Sequence, residues 1–343
     1  MSITHLLSQT RATGIPIQTM SFSAHQFEQE NLKDMIFYQC RFEGVVFDQC
    51  LLHETIFAEC SFHHSIFRNT VINNVTFSQC TVHRCRFEGS VINGLQMVKV
   101  FWPDLDLSGI KTTELSIVSS TMTGLKLSNA TNHVNLTLVK SDISGGSLSH
   151  STFTSCNFLE FDLGCVETIQ SSFIECSMVK VKGIEQDFSH LRFESCNFHE
   201  AELTGTSFSS AQIEGSIFTN AHLDHTVFNG AHGPRVLFMQ SSLCASSFEE
   251  AFMPNGIFKN CKALNACFDY ATVTEGLFTK ANLSGSSFRG CELEYADFSH
   301  ADLSYVNLSN AMLFRANLHG IIEEETLWNV HIYKRSKRQI QND

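Results

Sequence analysis

The sequence has little proline, little tryptophan and little charge. Of its 343 residues only 4 are proline and 2 are tryptophan, and charged residues make up 17%. So little proline excludes a proline-rich linker or polyproline chain and leaves nearly every backbone N–H able to bond. No run of about 18 apolar residues occurs, so no transmembrane helix is expected. Residues 1–20 lack the basic-then-apolar order of a secretory signal. A cytoplasmic protein is therefore expected, with export only by a signal-less route. There is no G-x-G-x-x-G, P-loop, H-E-x-x-H or G-x-S-x-G segment, which speaks against an enzyme. The 13 cysteines include no C-x-x-C pair, and their odd number does not suit a disulfide framework. His63 with His64, and His222 with His225, fall at outward slots and read as solvated side chains rather than metal ligands. No catalytic residue, cofactor or metal is expected.

What the chain does have is phenylalanine, 30 residues of it, on a five-residue beat. Phe22, Phe27, Leu32, Phe37, Phe42, Phe47, Leu52 and Phe57 open a series that runs to Leu127 with one polar member, Thr112. A second series runs from Leu138 to Leu318 and is broken only by Thr168, Gly183, Gly233 and Ala263. A helix repeats its apolar residues at 3 and 4, and a half-buried strand at 2. A sustained period of five fits neither, and indicates a solenoid whose units bury their apolar residues by stacking on one another. Cys40, Cys50, Cys60, Cys80, Cys85, Cys156, Cys176, Cys196, Cys261 and Cys291 lie two residues before a central apolar residue. That slot elsewhere holds Ala, Ser, Thr, Val or Gly, so these thiols read as small core side chains.

Cys40-Arg41-Phe42-Glu43-Gly44 and Cys60-Ser61-Phe62-His63-His64 resemble pentapeptide repeats. Ala281-Asn282-Leu283-Ser284-Gly285, Ala296-Asp297-Phe298-Ser299-His300, Ala301-Asp302-Leu303-Ser304-Tyr305 and Ala316-Asn317-Leu318-His319-Gly320 match that family's A(D/N)LXX consensus almost letter for letter. The resemblance implies an all-β fold, the right-handed quadrilateral β-helix, in which four pentapeptides make a coil of 20 residues. Grouping by 20 gives columns of like residues, such as Phe198, Phe218, Phe238, Phe258, Phe278 and Phe298, or Phe188, Phe208, Phe228, Phe248, Phe268 and Phe288. Stacked identical faces produce such columns. The 59 centres would make about 15 coils, on the order of 70 Å at sheet spacing.

The expected organisation is an N-terminal cap over 1–20, a first solenoid block over 21–128 and a register slip over 129–137. A second block over 138–320 and a short C-terminal cap helix with a basic tail over 321–343 follow. The slip is required because Leu127 and Leu138 stand eleven residues apart. Three other places depart from the beat. Pro103 is expected to distort its coil corner, with Phe101 folding inward locally beside the central Trp102. Gly233-Pro234 is expected to protrude from a corner. In the tail, Ile321, Leu327, Trp328 and Ile332 form an apolar stripe between early acids and late bases, as a helix macrodipole favours.

The net charge is −12. Between Phe193 and Phe258 the acids Glu194, Glu200, Glu202, Glu214, Asp224, Glu249 and Glu250 face one base, Arg235. Such a surface repels nucleic acid, keeps a repeat protein soluble and can meet a basic partner. Candidate partner-binding residues are therefore Phe101, Trp102, Glu200, Glu202, Glu214, Asp224, Gly233, Pro234 and Trp328. The expected function is a non-catalytic bacterial protein–protein interaction scaffold, an adaptor, accessory or effector associated with a secretion system. The resemblance also implies an alternative, a DNA-mimicking protein that binds a type II topoisomerase such as gyrase and protects it from inhibitors. Homodimerisation through the tail is a further expectation.

Overall fold

The computed structural model describes residues 3–130 and 132–328. The chain divides into two compact units, 1–161 with 165–171, and 162–164 with 172–343. Both are stacks of parallel coils, and the register slip lies inside the first unit rather than between the two.

The first unit opens with the single α-helix among the described residues, α1 (Ile3–Thr13). Its Leu7 is buried, while the Arg11 guanidinium donates to the Asn31 carbonyl. Ile15, within the expected cap, is 62% exposed. The coils begin at Ile17, which pairs with Phe37 and so already sits on the beat.

Each coil pairs with the next by parallel bonds at a separation of one coil. In the first unit Phe27, Phe47, Phe67 and Phe87 are register partners. Their rings stack with centroids 5.0, 4.9 and 5.1 Å apart. In the second unit the Phe208–Phe288 column stacks at 5.1, 4.9, 4.6 and 4.6 Å, while Phe188 at its start meets Phe208 edge to face at 5.6 Å. The Phe198–Phe298 column stacks likewise, and the two columns meet edge to face, as Phe228 and Phe238 do at 5.3 Å. Edge-to-face and offset stacking are the favoured aromatic geometries, so the column repeats select themselves coil after coil.

Within each pentapeptide the central residue and the one two before it point inward. The inward Cys, Ser and Thr donate to carbonyls of the neighbouring coil, as Cys60 Sγ does to Phe37 O at 3.3 Å and Thr226 Oγ1 to Leu203 O at 3.1 Å. A buried donor is thereby satisfied without a second side chain. Two residues after the centre, the chain turns a corner in the left-handed region, with φ near 60° at residues as varied as Lys280, Tyr305 and Arg315. Among these corners in the described residues only Thr19 is β-branched, because branching at Cβ makes that conformation costly.

The residue just after the centre contributes no N–H to the ladder. In Ala296–His300, Phe298 and His300 donate to Asn317 and His319 of the next coil, while Ser299 N donates to Asp297 Oδ1 at 2.8 Å. Ser304 with Asp302 and His319 with Asn317 repeat this turn. The Asp or Asn of the consensus thus satisfies the one N–H that stacking leaves over. The same slot accepts proline. Pro103, Pro234 and Pro254 all occupy it, and the coils there stay regular. Trp102 and Asp104 donate to Thr121 and Thr123 at 2.9 and 2.8 Å, and Gly233 and Arg235 donate to Phe252 and Pro254 at 2.8 and 2.9 Å. The distorted corner at Pro103 and the protrusion at Gly233-Pro234 are therefore absent, because neither proline removes a bond that the ladder uses.

The slip is absorbed in one coil. Partners lie 20 apart at Phe101 and Thr121 but 21 apart at Thr113 and Val134, at Ser116 and Thr137, and at Lys126 and Ser147. His133 takes the central slot and is fully buried. Its Nδ1 lies 2.8 Å from Thr112 Oγ1 and its Nε2 3.1 Å from Leu127 O. Since a carbonyl only accepts, Nε2 carries the proton and Nδ1 accepts from the threonine hydroxyl. The one polar centre of the first series, Thr112, is thus the partner of a buried histidine. Burial holds the His133 pKa below its usual value.

The expected C-terminal helix does not form over 321–328. Ile322 bridges Asp302, and Leu327–Trp328 pairs with Asn307–Leu308 as a further coil. The beat continues through Glu323 to Trp328, and a glutamate at a central slot hides it. The tail from 329 onward lies outside the described residues.

Candidate interaction surface

The interiors of both units are filled by side chains, so chemistry is left to the outward residues. Burial raises the Cys50 and Cys85 thiols to about 11 and Cys261 to about 12, whereas the neighbouring Cys60 thiol lowers the pKa of Cys80. A protonated buried thiol is a poor nucleophile. Among the described residues no three His, Cys, Asp or Glu side chains converge on a metal position.

The candidate residues scatter. Phe101 does not fold inward: it is 39% exposed and its ring lies 5.2 Å from that of His83. Trp102 is fully buried against Phe77 and Phe87, so no partner can reach it. Its central slot points it into the core, which the beat itself required. Gly233 also fills a central slot, where a Cβ would meet Ile213 at 2.8 Å. Pro234 lies beside it in a regular coil. Trp328 donates from Nε1 to Glu323 at 3.0 Å.

The acids are mostly matched by neighbours. Glu200 lies 3.3 Å from Lys180 and 3.1 Å from His199, and Lys180 beside it holds its pKa below the usual value. Glu202 lies 3.7 Å from Lys182, and Glu214 pairs with Arg235. Asp224 accepts from the Ser242 hydroxyl at 2.5 Å and from Cys244 N at 2.8 Å. These side chains brace adjacent coils instead of converging on one acidic site. Exposed pairs of this kind contribute at most about 1 kcal/mol each.

A different surface stands out in the second unit. Ile217, Leu237, Ile257 and Leu277 are consecutive bridge partners in one outward column. Asn197 precedes them in that column, and Asp297 and Asn317 follow. Ile217, Leu237 and Ile257 are half-buried and Leu277 is 38% exposed. The corner residues Arg235, Glu275 and Tyr295 wall one side of an open groove of about 850 Å3 whose floor includes Leu237, Ile257 and Leu277. Met239 and Lys259 lie on the other side of the floor, two residues after Leu237 and Ile257. Tyr295 is 49% exposed, with the Arg315 guanidinium 5.9 Å from its ring centre. The sequence carried a signal for this column, four aliphatic residues spaced by 20 where serine, asparagine and charge are usual.

Comparison with known proteins agrees with this architecture. The family model for a pentapeptide repeat region matches residues 20–97, and that for pentapeptide repeats in eight copies matches 187–220 and 281–320. No curated protein matches the chain. Among solved structures, the chain is similar to HetL, a pentapeptide repeat protein involved in heterocyst differentiation regulation in Nostoc sp. strain PCC 7120. The two share 20% identity over 64% of this chain and 88% of HetL, with a TM-score of 0.35. The chain is also similar to QnrB1, a plasmid-mediated fluoroquinolone resistance protein, at 11% identity over 94% and 95% of the two chains and a TM-score of 0.26. A pentapeptide repeat protein of the Arabidopsis thaliana thylakoid lumen matches at 22% identity over 32% of this chain and 68% of its own, with a TM-score of 0.21. With both repeat models matched, and one beat carried through the coils, the chain belongs to the pentapeptide repeat family.

Proposed function

We propose that the chain is a non-catalytic protein-binding scaffold, serving as an adaptor or accessory of a secretion apparatus. The observation that carries the scaffold reading is the division of labour between positions. Inward residues are packed or bonded to carbonyls, and the outward columns hold side chains at fixed spacing on a closed ladder. A surface of this kind presents contacts and has no room for a substrate within the coils. An aliphatic column left facing water is the natural place for a partner to bury apolar area. Affinity purification of the full chain from its own cells, followed by mass spectrometry, tests the role. Recovery of a secretion-apparatus protein is expected. Recovery of a type II topoisomerase, with altered supercoiling on adding the purified chain, would replace the adaptor reading by the topoisomerase-binding one.

A further inference from the structure

We infer that the Leu237–Leu277 groove binds an amphipathic α-helix lying along the stack, with a basic flank toward Glu275 and an acidic flank toward Lys259. This inference rests on the scaffold reading and names the kind of partner it uses. The width of the groove argues for a slender partner. Its floor is one strand wide and two coil steps long, roughly 150 Å2 at sheet dimensions. That falls well short of the ~800 Å2 per partner of a standard interface, so a second flat face would gain little. A helix is different. Two coil steps span about 10 Å, and the ridge residues i, i+3 and i+7 of a helix also span about 10 Å. Each aliphatic floor residue then meets about one ridge residue, the helix-in-groove mode of recognition.

Charge sets the flanks. Among the residues that line the groove Arg235 is already paired with Glu214, which leaves Glu275 as the uncompensated charge, while Arg315 one coil beyond lies over the Tyr295 ring. Neither Glu275 nor Lys259 forms an ion pair among the described residues, and they lie on opposite sides of the floor. A helix bearing bases along one flank and acids along the other satisfies both. Tyr295, rigid at its corner and half-exposed, closes the end of the groove as an aromatic contact of the kind that dominates interfaces.

The test uses a fluorescein-labelled, lactam-bridged 14-residue peptide with leucine along the ridge, lysine on one flank and glutamate on the other. Binding to the full chain is read by fluorescence anisotropy. It should be at least tenfold tighter than binding of a scrambled peptide of the same composition. Ile257→Asp, at an outward position that leaves the core intact, should weaken it at least tenfold. Glu275→Lys should weaken it several-fold, and a peptide with glutamate on both flanks should recover affinity for that variant. Equal binding of the scrambled peptide, no binding, or no coupling between Glu275→Lys and the peptide flank would overturn the inference. Affinity purification with wild type and Ile257→Asp separates the two readings. A partner retained by both leaves the scaffold standing without this groove. A groove that binds the peptide in a chain that recovers no secretion component leaves the helix site standing without the adaptor role.

Discussion

Lowering the pH from 7.5 to 5.0 should destabilise the first unit through His133. The ring is fully buried, with Nε2–H bonded to a carbonyl and Nδ1 accepting from Thr112, so the fold holds it neutral. Its pKa is lowered by burial from the ordinary 6.5. The unfolded chain therefore takes up this proton as the pH falls through 6.5, while the folded chain resists. Stability from this group is complete above 6.5 and is lost below it, by up to about 1.4 kcal/mol per pH unit. Integrated from pH 7.5 to 5.0, one proton that the folded state refuses costs about 2 kcal/mol. Protonation also forces the Thr112 hydroxyl to turn from donor to acceptor against a cationic ring. The comparison is with a Thr112→Val/His133→Phe variant, which removes both polar partners and gives Phe153 a phenyl ring to stack on in place of the imidazole now 5.0 Å away. Denaturant unfolding at both pH values, followed by far-ultraviolet circular dichroism, isolates the contribution of His133 by difference. Wild type should lose more than the variant, by up to about 2 kcal/mol. Equal losses would refute the neutral, buried histidine.

Two other substitutions test the assignment of slots. Phe228→Ala removes a ring stacked in column between Phe208 and Phe248 and should cost about 3–5 kcal/mol in denaturant unfolding, whereas Asn229→Asp on the outward side keeps its acceptor oxygen and should cost less than about 0.5 kcal/mol. Thr274→Pro, in the column of Pro234 and Pro254, should shift the unfolding midpoint little, whereas Leu277→Pro deletes the bond to Gly256 O at 2.9 Å and should cost about 3 kcal/mol or more. Equal tolerance of either pair would mean that the slots are misassigned.

The inward half of the fold was legible because stacking repeats its own residue choices. A phenylalanine over a phenylalanine leaves the same letter 20 positions on. The corners were illegible for the opposite reason. Lysine, tyrosine and arginine all turn them, so only the shortage of β-branched residues marks the slot. Proline misled because its missing N–H matters only where the ladder uses one, and that depends on phase within the pentapeptide. Glu323 and His133 each hid a coil by placing a polar residue at a central slot, one near the end of the described chain and one at the slip. As for the candidate site, acidic composition drew attention to Glu200, Glu202 and Glu214, which brace coils. The aliphatic column at Ile217–Leu277 carried its signal at a spacing of 20 on the outward side, where hydrophobic periodicity is not usually sought.

The ladder bonds also decide how the second unit would behave under force. They join each residue to the coil above or below, so tension applied at Trp328 loads the bonds of one coil at a time. A sandwich sheared along its strands breaks many bonds together, but this stack would unzip. Each step would release about 20 residues, roughly 65 Å of extended chain. The coils behind it would remain closed, so the unit would act mechanically as a ratcheted tether that lengthens in equal increments and rewinds on the template of the next intact coil.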